Sequence, residues 1–389
     1  LYWQVSMTHD RMFGPAWDVV ELTSEQFWSL SEKPYMLTEV QLRYLCQYAL
    51  LAPTSHNTIP ERFRIDSDNQ RVEIFLDRFF VLSESDPKGR QAMISIGAVM
   101  QHLRATAAYF GMSAEIDCEE LTKNLAHVAP NDSLRYARIA TCSFHYIPTQ
   151  SRQLHTLAQI KARKNVRALY DKATLLPETI GDSIQEIAKQ YSSLDVHVIT
   201  NKLLKQDVAK FQEQADRFVL ENQNFTRELG EWLLPNKDCS VPYAMRGSEF
   251  GFDDDYSQAI HDGLIGKTKL FADQIAGFAK GGKAGLESAS AIVVITSTTD
   301  DPYAWLLAGQ LYDEICLMLV SHSFVTAMHA SLAEVDWANA LFRTTVIKTA
   351  QRPLVILRIG RPADPATQAR PHAVRPSLDQ VLVGCLPEA

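Results

Sequence analysis

Residues 49–65 read ALLAPTSHNTIPERFRI: a helix end, a polar loop and the start of a strand in one run. Pro53 has no amide proton and cannot continue a helix, so the chain turns there. Thr54, Ser55 and Asn57 follow, short polar side chains that bond to nearby backbone in turns. Upstream, TEVQLRYLCQYALLAP opens on Thr38 as a cap, with Gln41 three residues on completing a capping box. Leu42, Leu45 and Ala49 share one face of that helix. Downstream, RFRID and RVEIFLD alternate apolar and polar residues as strands do.

Asp86-Pro87 is expected to open a second helix, with Asp as the cap and Pro at the first position. Met93, Ile96, Met100 and Ala107 would form its buried stripe, and Gly111 its stop. SAEID and ARIATCSF read as strands. After residue 150 the pattern restarts. Ile180, Ile184, Ile187 and Tyr191 mark a helix, DVHVIT a strand, and Val208, Phe211, Ala215, Phe218 and Trp232 longer helical stretches. Between about 235 and 285 the periodicity fades, and Lys280-Gly281-Gly282-Lys283 reads as flexible. An irregular insertion of that length is expected to be a lid, a binding loop or disorder. AIVVIT, a helix after Asp301-Pro302 running from about Trp305 to Phe324, and PLVILRI complete the order. Both strands are continuous apolar runs, as in sheets covered on both faces. The halves are alike: an Asp-Pro precedes each long apolar helix, and Gly97 stands as far from Gly111 as Gly309 from Ser323. The expected division is an N-terminal extension (1–36), a first half (37–150) and a second half (151–389) carrying the insertion.

With 46% hydrophobic residues the chain can bury a core, and its formal charge of -8 disfavours a general nucleic-acid binder. No apolar run approaches the roughly 20 residues of a membrane span. The opening LYWQVSMTHDRMFGPAW lacks the order of a signal peptide. It begins on Leu1, as a piece of a longer polypeptide would. The six cysteines form no C-x-x-C pair, which leaves neither a zinc nor a redox motif. Scattered free thiols point to a reducing, cytoplasmic setting.

ALLAPTSHNTIPERFRI resembles the first helix, loop and strand of the nitroreductase family, which reads A-x-x-A-P-S-x-x-N-x-Q-P-W. Asp86-Pro87-Lys88-Gly89-Arg90 followed by SIGAVM is similar to the family's two-halved, Acg-like subfamily. So are Arg163-Lys164-Asn165-Val166-Arg167 before Leu169-Tyr170, the helix YAWLLAGQLYDEICLMLVSHS, the strand RPLVILRIGRP, and Arg375-Pro376 in HAVRPSLDQVL. The pieces follow the family's order from about residue 38 to 385.

The resemblance implies an α+β fold: two related halves forming a pseudo-dimer in one chain, each a mixed, mainly antiparallel sheet wrapped by helices. It implies one FMN where the halves meet, NAD(P)H as electron donor, and a nitro, quinone or related small molecule as acceptor. Arg163, Asn165, Arg167 and Arg375 would hold the phosphate end. Pro53, Thr54, Ser55 and Asn57 would touch the ring and ribityl chain, and Met328, His329 and Ala330 would approach flavin N5. Guanidinium forks suit a phosphate dianion, and Arg163 and Arg167 would converge if they began a helix. The pattern also departs from the family. Ile59 replaces Gln, Glu61 replaces Trp, Val166 stands in an Asn position, and Val374 precedes Arg375 where a second Arg is usual. AKQYSSLDVHV has no P-S-x-x-N equivalent, so one FMN is expected rather than two.

No catalytic residue or metal ligand is assigned. G-x-G-x-x-G, Walker A, H-E-x-x-H and G-x-S-x-G motifs are absent. His56 reads as an exposed loop histidine, and Asp253-Asp254-Asp255 as a solvated acidic turn. Two alternatives stay open: a flavin-binding or flavin-sequestering protein whose insertion lies over the ring, and a flavin-free domain of a larger assembly.

Overall fold

The capping box fixes where the first helix starts. Thr38 Oγ1 accepts from the Gln41 amide at 3.3 Å, and Gln41 Oε1 accepts from the Thr38 amide at 2.8 Å. That helix, α1 (Glu39–Ala49), leads into the hairpin β1 (Glu61–Asp66) and β2 (Arg71–Asp77). Helix α2 (Arg90–Tyr109), β3 (Met112–Asp117) and β4 (Tyr136–Tyr146) complete an antiparallel sheet of order β1-β2-β4-β3. The structure is a computed structural model and describes residues 16–33, 35–118, 135–147, 155–269, 272–370 and 372–384.

The second half begins with α3 (Leu157–Ala162), α4 (Glu178–Ala188) and β5 (Leu194–Ile199). Next come α5 (Lys202–Leu220), α6 (Gln223–Trp232), the two-residue strands β6 (Leu233–Leu234) and β7 (Met245–Arg246), α7 (Asp254–Leu264) and α8 (Ala272–Ser288). The chain closes with β8 (Ala291–Ser297), α9 (Pro302–Ser321), β9 (Val325–Met328), α10 (Asp336–Thr345) and β10 (Arg352–Gly360). The second sheet runs β5-β8-β10-β9 and is also antiparallel throughout. Each half therefore places its four strands in the order first, second, fourth, third, with the long helix between the second and third.

Those two helices, α2 and α9, cross with their backbones in contact. A Cβ on Gly97 would lie 2.1 Å from Leu306 O, and one on Gly309 would lie 2.0 Å from Ile94 O. Each helix is followed by a left-handed residue, Gly111 (φ 76°) and Ser323 (φ 59°), at the same register. Among the described residues α9 is the one helix long and apolar enough for a membrane span, but 72% of its apolar window is buried in this packing. Segments distant in sequence extend each sheet. Phe63 N donates to Val381 O and Val383 N to Phe63 O, which adds the tail to β1. Val166 N donates to Thr326 O, which adds the 163–167 segment to β9.

Three expectations change. Asp86-Pro87 does not begin α2: Gly89 turns left-handed (φ 73°), its amide donates to Asp86 O, and the helix starts at Arg90. Asp86 still caps it from a distance, accepting from the Ala92 amide at 2.9 Å. Asp301 behaves as read, accepting from Ala304 N with Pro302 in the first turn. The insertion is wider and more ordered than 235–285 suggests, since it fills residues 200–290 between β5 and β8, where the first half has only a hairpin turn. Lys280–Lys283 lies inside α8 and is not a flexible link. Four glycines hide that helix's apolar pattern, and Gly282 and Gly285 pack on Asp216 and Arg358. Asp253 is the cap of α7 rather than part of a free acidic turn, accepting from Tyr256 N at 2.8 Å.

The described part of the N-terminal extension packs on the first half, with Phe27 stacked on Phe110 at 3.8 Å. Leu1, the boundary expected at 150/151 and Cys385 lie outside the described residues. The other five cysteines are free thiols.

The crossing makes a stability prediction. Gly309→Ala drives a methyl into the Ile94 carbonyl and is expected to cost about 2–4 kcal/mol in urea unfolding, at or above the usual overpacking range. Gly181→Ala, in α4 with nothing within 4 Å of the new Cβ, is expected to stabilise by up to about 1 kcal/mol.

Candidate functional site

The loop after α1 is held in an unusual shape. His56, Asn57 and Ile59 have φ values of 46°, 56° and 56°. Asn tolerates this region, but a β-branched residue there stores strain that surrounding bonds must hold. Asn57 supplies those bonds. Its Nδ2 donates to Ala244 O and Val374 O, both at 3.0 Å, its Oδ1 accepts from Arg375, and its carbonyl accepts from Ala244 N. The loop, the insertion and the tail are thus locked together at one residue.

Two adjoining pockets open beside this loop, sharing Pro53, Thr54, Asn165, Arg167 and Met245 in their walls. The smaller is cationic, lined by Arg163, Lys164, Arg167, Arg370 and Arg375 against a single acid, Glu249. Its field shows at His372, which stacks on Trp17 at 3.9 Å. Burial, then Lys164, Arg163, Arg375 and Lys161, holds that imidazole down to about 3.

The arginines differ in what they can still bind. Arg163 is buried and donates only through Nη2, to Leu51 O at 3.1 Å, leaving Nε and Nη1 without a hydrogen-bond partner. Arg375 has spent four of its five N–H groups on Leu50 O, Ala52 O, Asn57 Oδ1 and Val374 O. It closes the carbonyl end of α1 and lends the pocket charge rather than a free fork. Burial, then Arg163, lowers its pKa to about 10. Arg167 pairs with Glu249 at 3.2 Å and lies 4.6 Å above Phe250. Arg163 and Arg167 do not begin a helix: Arg163 ends α3, and the residues after it run extended along β9. They still converge, because that strand brings both to one pocket.

The larger cavity, about 450 Å³, lies between the halves. Ser55, His56, Arg90, Gln91 and Ser95 line it from the first half, and Tyr312, Met328, His329, Ala330 and Glu334 from the second. The insertion adds Phe225, Phe250, Phe252 and Phe278. Ser55 is fixed by Ser95 Oγ on its amide (3.1 Å) and by Gln91 on its hydroxyl. His56 is not an exposed loop residue: its Nδ1 is enclosed without a partner, and burial, then Arg167, lowers its pKa to about 4 against the pull of Glu228. His329 is held well below its usual value by burial, then Arg358 and Arg167.

All eleven residues expected at the site line one pocket or the other, although Asn57 and Arg375 use their polar atoms on protein. Sequence reading missed Trp17, Lys164, Arg370 and His372 at the cationic end, and Arg90, Asp216, Glu334 and the insertion's phenyl rings in the cavity. Arg90 and Lys164 stood inside motifs quoted above, and Phe250 and Phe252 in the run RGSEFGFDDDY, aromatic residues set among acids.

A related cavity of about 460 Å³ lies where the likeness of the halves puts a second site. Tyr303, Leu307, Ile116 and Cys118 line it, at the same offset from Gln91, Ser95, Met328 and Ala330 as Gly309 from Gly97. Its one cation among the described lining residues besides His155, Arg104, donates to Gln310 Oε1 at 2.6 Å and faces Glu314.

No family model matches the chain. It is 33% identical over 104 residues to a Mycobacterium tuberculosis (strain ATCC 25618 / H37Rv) protein named "Putative NAD(P)H nitroreductase acg", covering 27% of this chain and 28% of that protein. It is 41% identical over 66 residues to "Uncharacterized protein Rv3127" of the same strain, covering 16% and 19%. The chain thus matches less than a third of the length of these curated relatives. A solved structure described as "a putative nitroreductase from anabaena variabilis atcc 29413" is similar in fold, with a TM-score of 0.50 and 9% identity over 88% of this chain and 92% of that one.

The depressed His56 pKa sets a pH test. The unfolded chain takes up this proton near pH 6.5 and the folded one only near 4, so the histidine's contribution is present above 6.5 and lost as pH falls toward 4. His56→Gln is expected to lose less stability than the parent between pH 6.5 and 4, read as urea midpoints at each pH.

Proposed function

The chain is nitroreductase-like in fold and in local sequence, and from that premise we propose that it is an FMN-dependent oxidoreductase. Reducing equivalents would come from NAD(P)H and pass to a nitro, quinone or related acceptor. The observation that carries the reading is the pairing of pockets: a cation-lined recess adjoining a cavity walled by both halves. A phosphate dianion answers a buried, half-unpartnered guanidinium better than water does, because charge-assisted bonds strengthen away from solvent. Arg163 and Arg167 would take the phosphate, with charge from Lys164 and Arg375. Thr54, Ser55 and the Met328–Ala330 backbone would border the ring. FMN when bound supplies hydride chemistry, so the protein's task is binding, orientation and exclusion of water. The local match to a protein named as an NAD(P)H nitroreductase supports the donor.

The related cavity offers no comparable cation cluster among its described lining residues, which favours one FMN per chain. A second reading, sequestration without turnover, draws on the insertion. It walls the cavity and is tied to the first half by Glu228, whose carboxylate accepts from Ser83 Oγ, Glu84 N, Ser85 N and Ser85 Oγ at 2.7–3.2 Å.

A visible spectrum before and after anaerobic NADPH separates these readings. A flavin band that bleaches supports the oxidoreductase, a persistent band supports sequestration, and no band after adding FMN overturns both. Arg163→Leu is expected to weaken FMN about 10- to 100-fold, as loss of a charged hydrogen-bond pair does, while leaving riboflavin affinity nearly unchanged. Equal loss for both ligands would place the phosphate elsewhere.

A further inference from the structure

One wall of the larger cavity is acidic. Asp216 of α5 and Glu334, which ends the short helical turn Ser331–Glu334, both line it. The charged groups acting on Glu334 are Arg90, Asp86, Asp216 and Glu228, one cation against three acids. Asp216 is positioned: Gln212 Nε2 donates to its Oδ1 at 2.7 Å, and Gly282 makes room for its Oδ2, which a Cβ there would meet at 2.7 Å. Glu334 Oε1 is enclosed and has no hydrogen-bond partner. Burial raises Glu334 to about 8 against the pull of Arg90, and Asp216 to about 6 against hydrogen bonds from Ser331 and Gln212, and neither acid has an ion-pair partner among the described residues within 4 Å. Phe225, Phe250, Phe252 and Phe278 line the same cavity. Gly277 and Gly281 of α8 face it too, with nothing within 4 Å of an added Cβ. Each glycine forgoes about 1 kcal/mol of helix propensity relative to alanine and leaves open space.

We propose that this part of the cavity recognises an amphipathic aromatic amine, with its ammonium between Asp216 and Glu334 and its ring against the insertion's phenyl rings. The assignment rests on the oxidoreductase reading for the view that the occupant is a substrate, whereas the recognition itself requires no flavin. Two part-buried carboxyls that act on each other ionise together more readily with a counter-charge between them, and an ammonium supplies one. The aromatic wall adds ring contact and cation–π attraction. A neutral ligand of the same shape gains only the ring contact. An ammonium favours ionised Glu334, so binding near pH 7 releases a proton from it, against the opposing field of Asp86, Asp216 and Glu228 and with the help of Arg90.

The test is isothermal titration calorimetry of the purified chain at pH 7, with 2-phenylethylamine and 2-phenylethanol, in two buffers of different ionisation heat. Flavin content is read from the visible band of the same sample. The amine is expected to bind at least about tenfold tighter than the alcohol and with proton release. Glu334→Gln and Asp216→Asn are each expected to reduce that preference, and Glu334→Gln to abolish the proton release. Equal affinity for the two ligands in the parent protein would overturn the proposal without recourse to any variant, as would an amine preference retained in both variants. Amine preference in a chain that binds no flavin would support the recognition and remove the oxidoreductase reading. Flavin binding without amine preference would do the reverse.

Discussion

The backbone contact between α2 and α9 is the constraint on which the rest of the molecule depends. With no side chain at Gly97 or Gly309, the two helices meet main chain to main chain, and larger residues at either point would hold the halves apart. The close approach sets other distances. Five residues beyond Gly97, His102 meets Asp313 at 2.6 Å, with both side chains fully buried. The other oxygen of Asp313 lies 3.9 Å from Arg163 Nε. The same crossing brings the first turns of α2, with Arg90, Gln91 and Ser95, opposite Met328–Ala330 of the other half. The cavity is a consequence of how these helices cross, and no single loop makes it.

The loop at residues 54–60 shows how the fold sustains a shape the local sequence would not choose. Three non-glycine excursions to positive φ within four residues are unfavourable in isolation. They persist because Asn57 is bonded to residues far away in the chain, Ala244 and Val374–Arg375, and because Thr54 Oγ1 accepts from Ile59 N. Strain held by long-range contacts is typical of sites that must present fixed backbone geometry.

Much of this was legible in sequence, and the failures have physical causes. The strand RVEIFLD matches β2 residue for residue because its residue types alternate apolar with polar, although both faces are buried from Val72 to Asp77, with Glu73 and Asp77 in ion pairs with arginines. The capping box at Thr38 was read correctly because it is purely local. Helix α8 was lost because glycines that serve packing and open space erase the apolar stripe. Strand β9, with four residues, is too short to show a period. The residues named through motif order line the two pockets, but the bonds that Asn57 and Arg375 make to protein were not legible. A guanidinium that closes a helix end looks in sequence like one that binds an anion, and only the carbonyls around it tell them apart.

The two halves share a topology and yet build unlike cavities, and a single chain permits that difference. In an assembly of identical subunits an insertion between the first two strands would appear twice. Here it occurs once, between β5 and β8, and walls only one of the two related spaces. Beside that space the smaller pocket is cationic where Arg163 and Arg167 converge, while the cavity itself is acidic at Asp216 and Glu334, and the acid pair could not exist without α5 of the insertion. A cavity with opposite charges on different walls fixes which way round an occupant enters, because the reversed pose places like charges together. Fusion of the halves therefore does more than keep them together: it lets one interface acquire a direction while its counterpart, with Arg104 bonded to Gln310 and facing Glu314, keeps none of that charge separation.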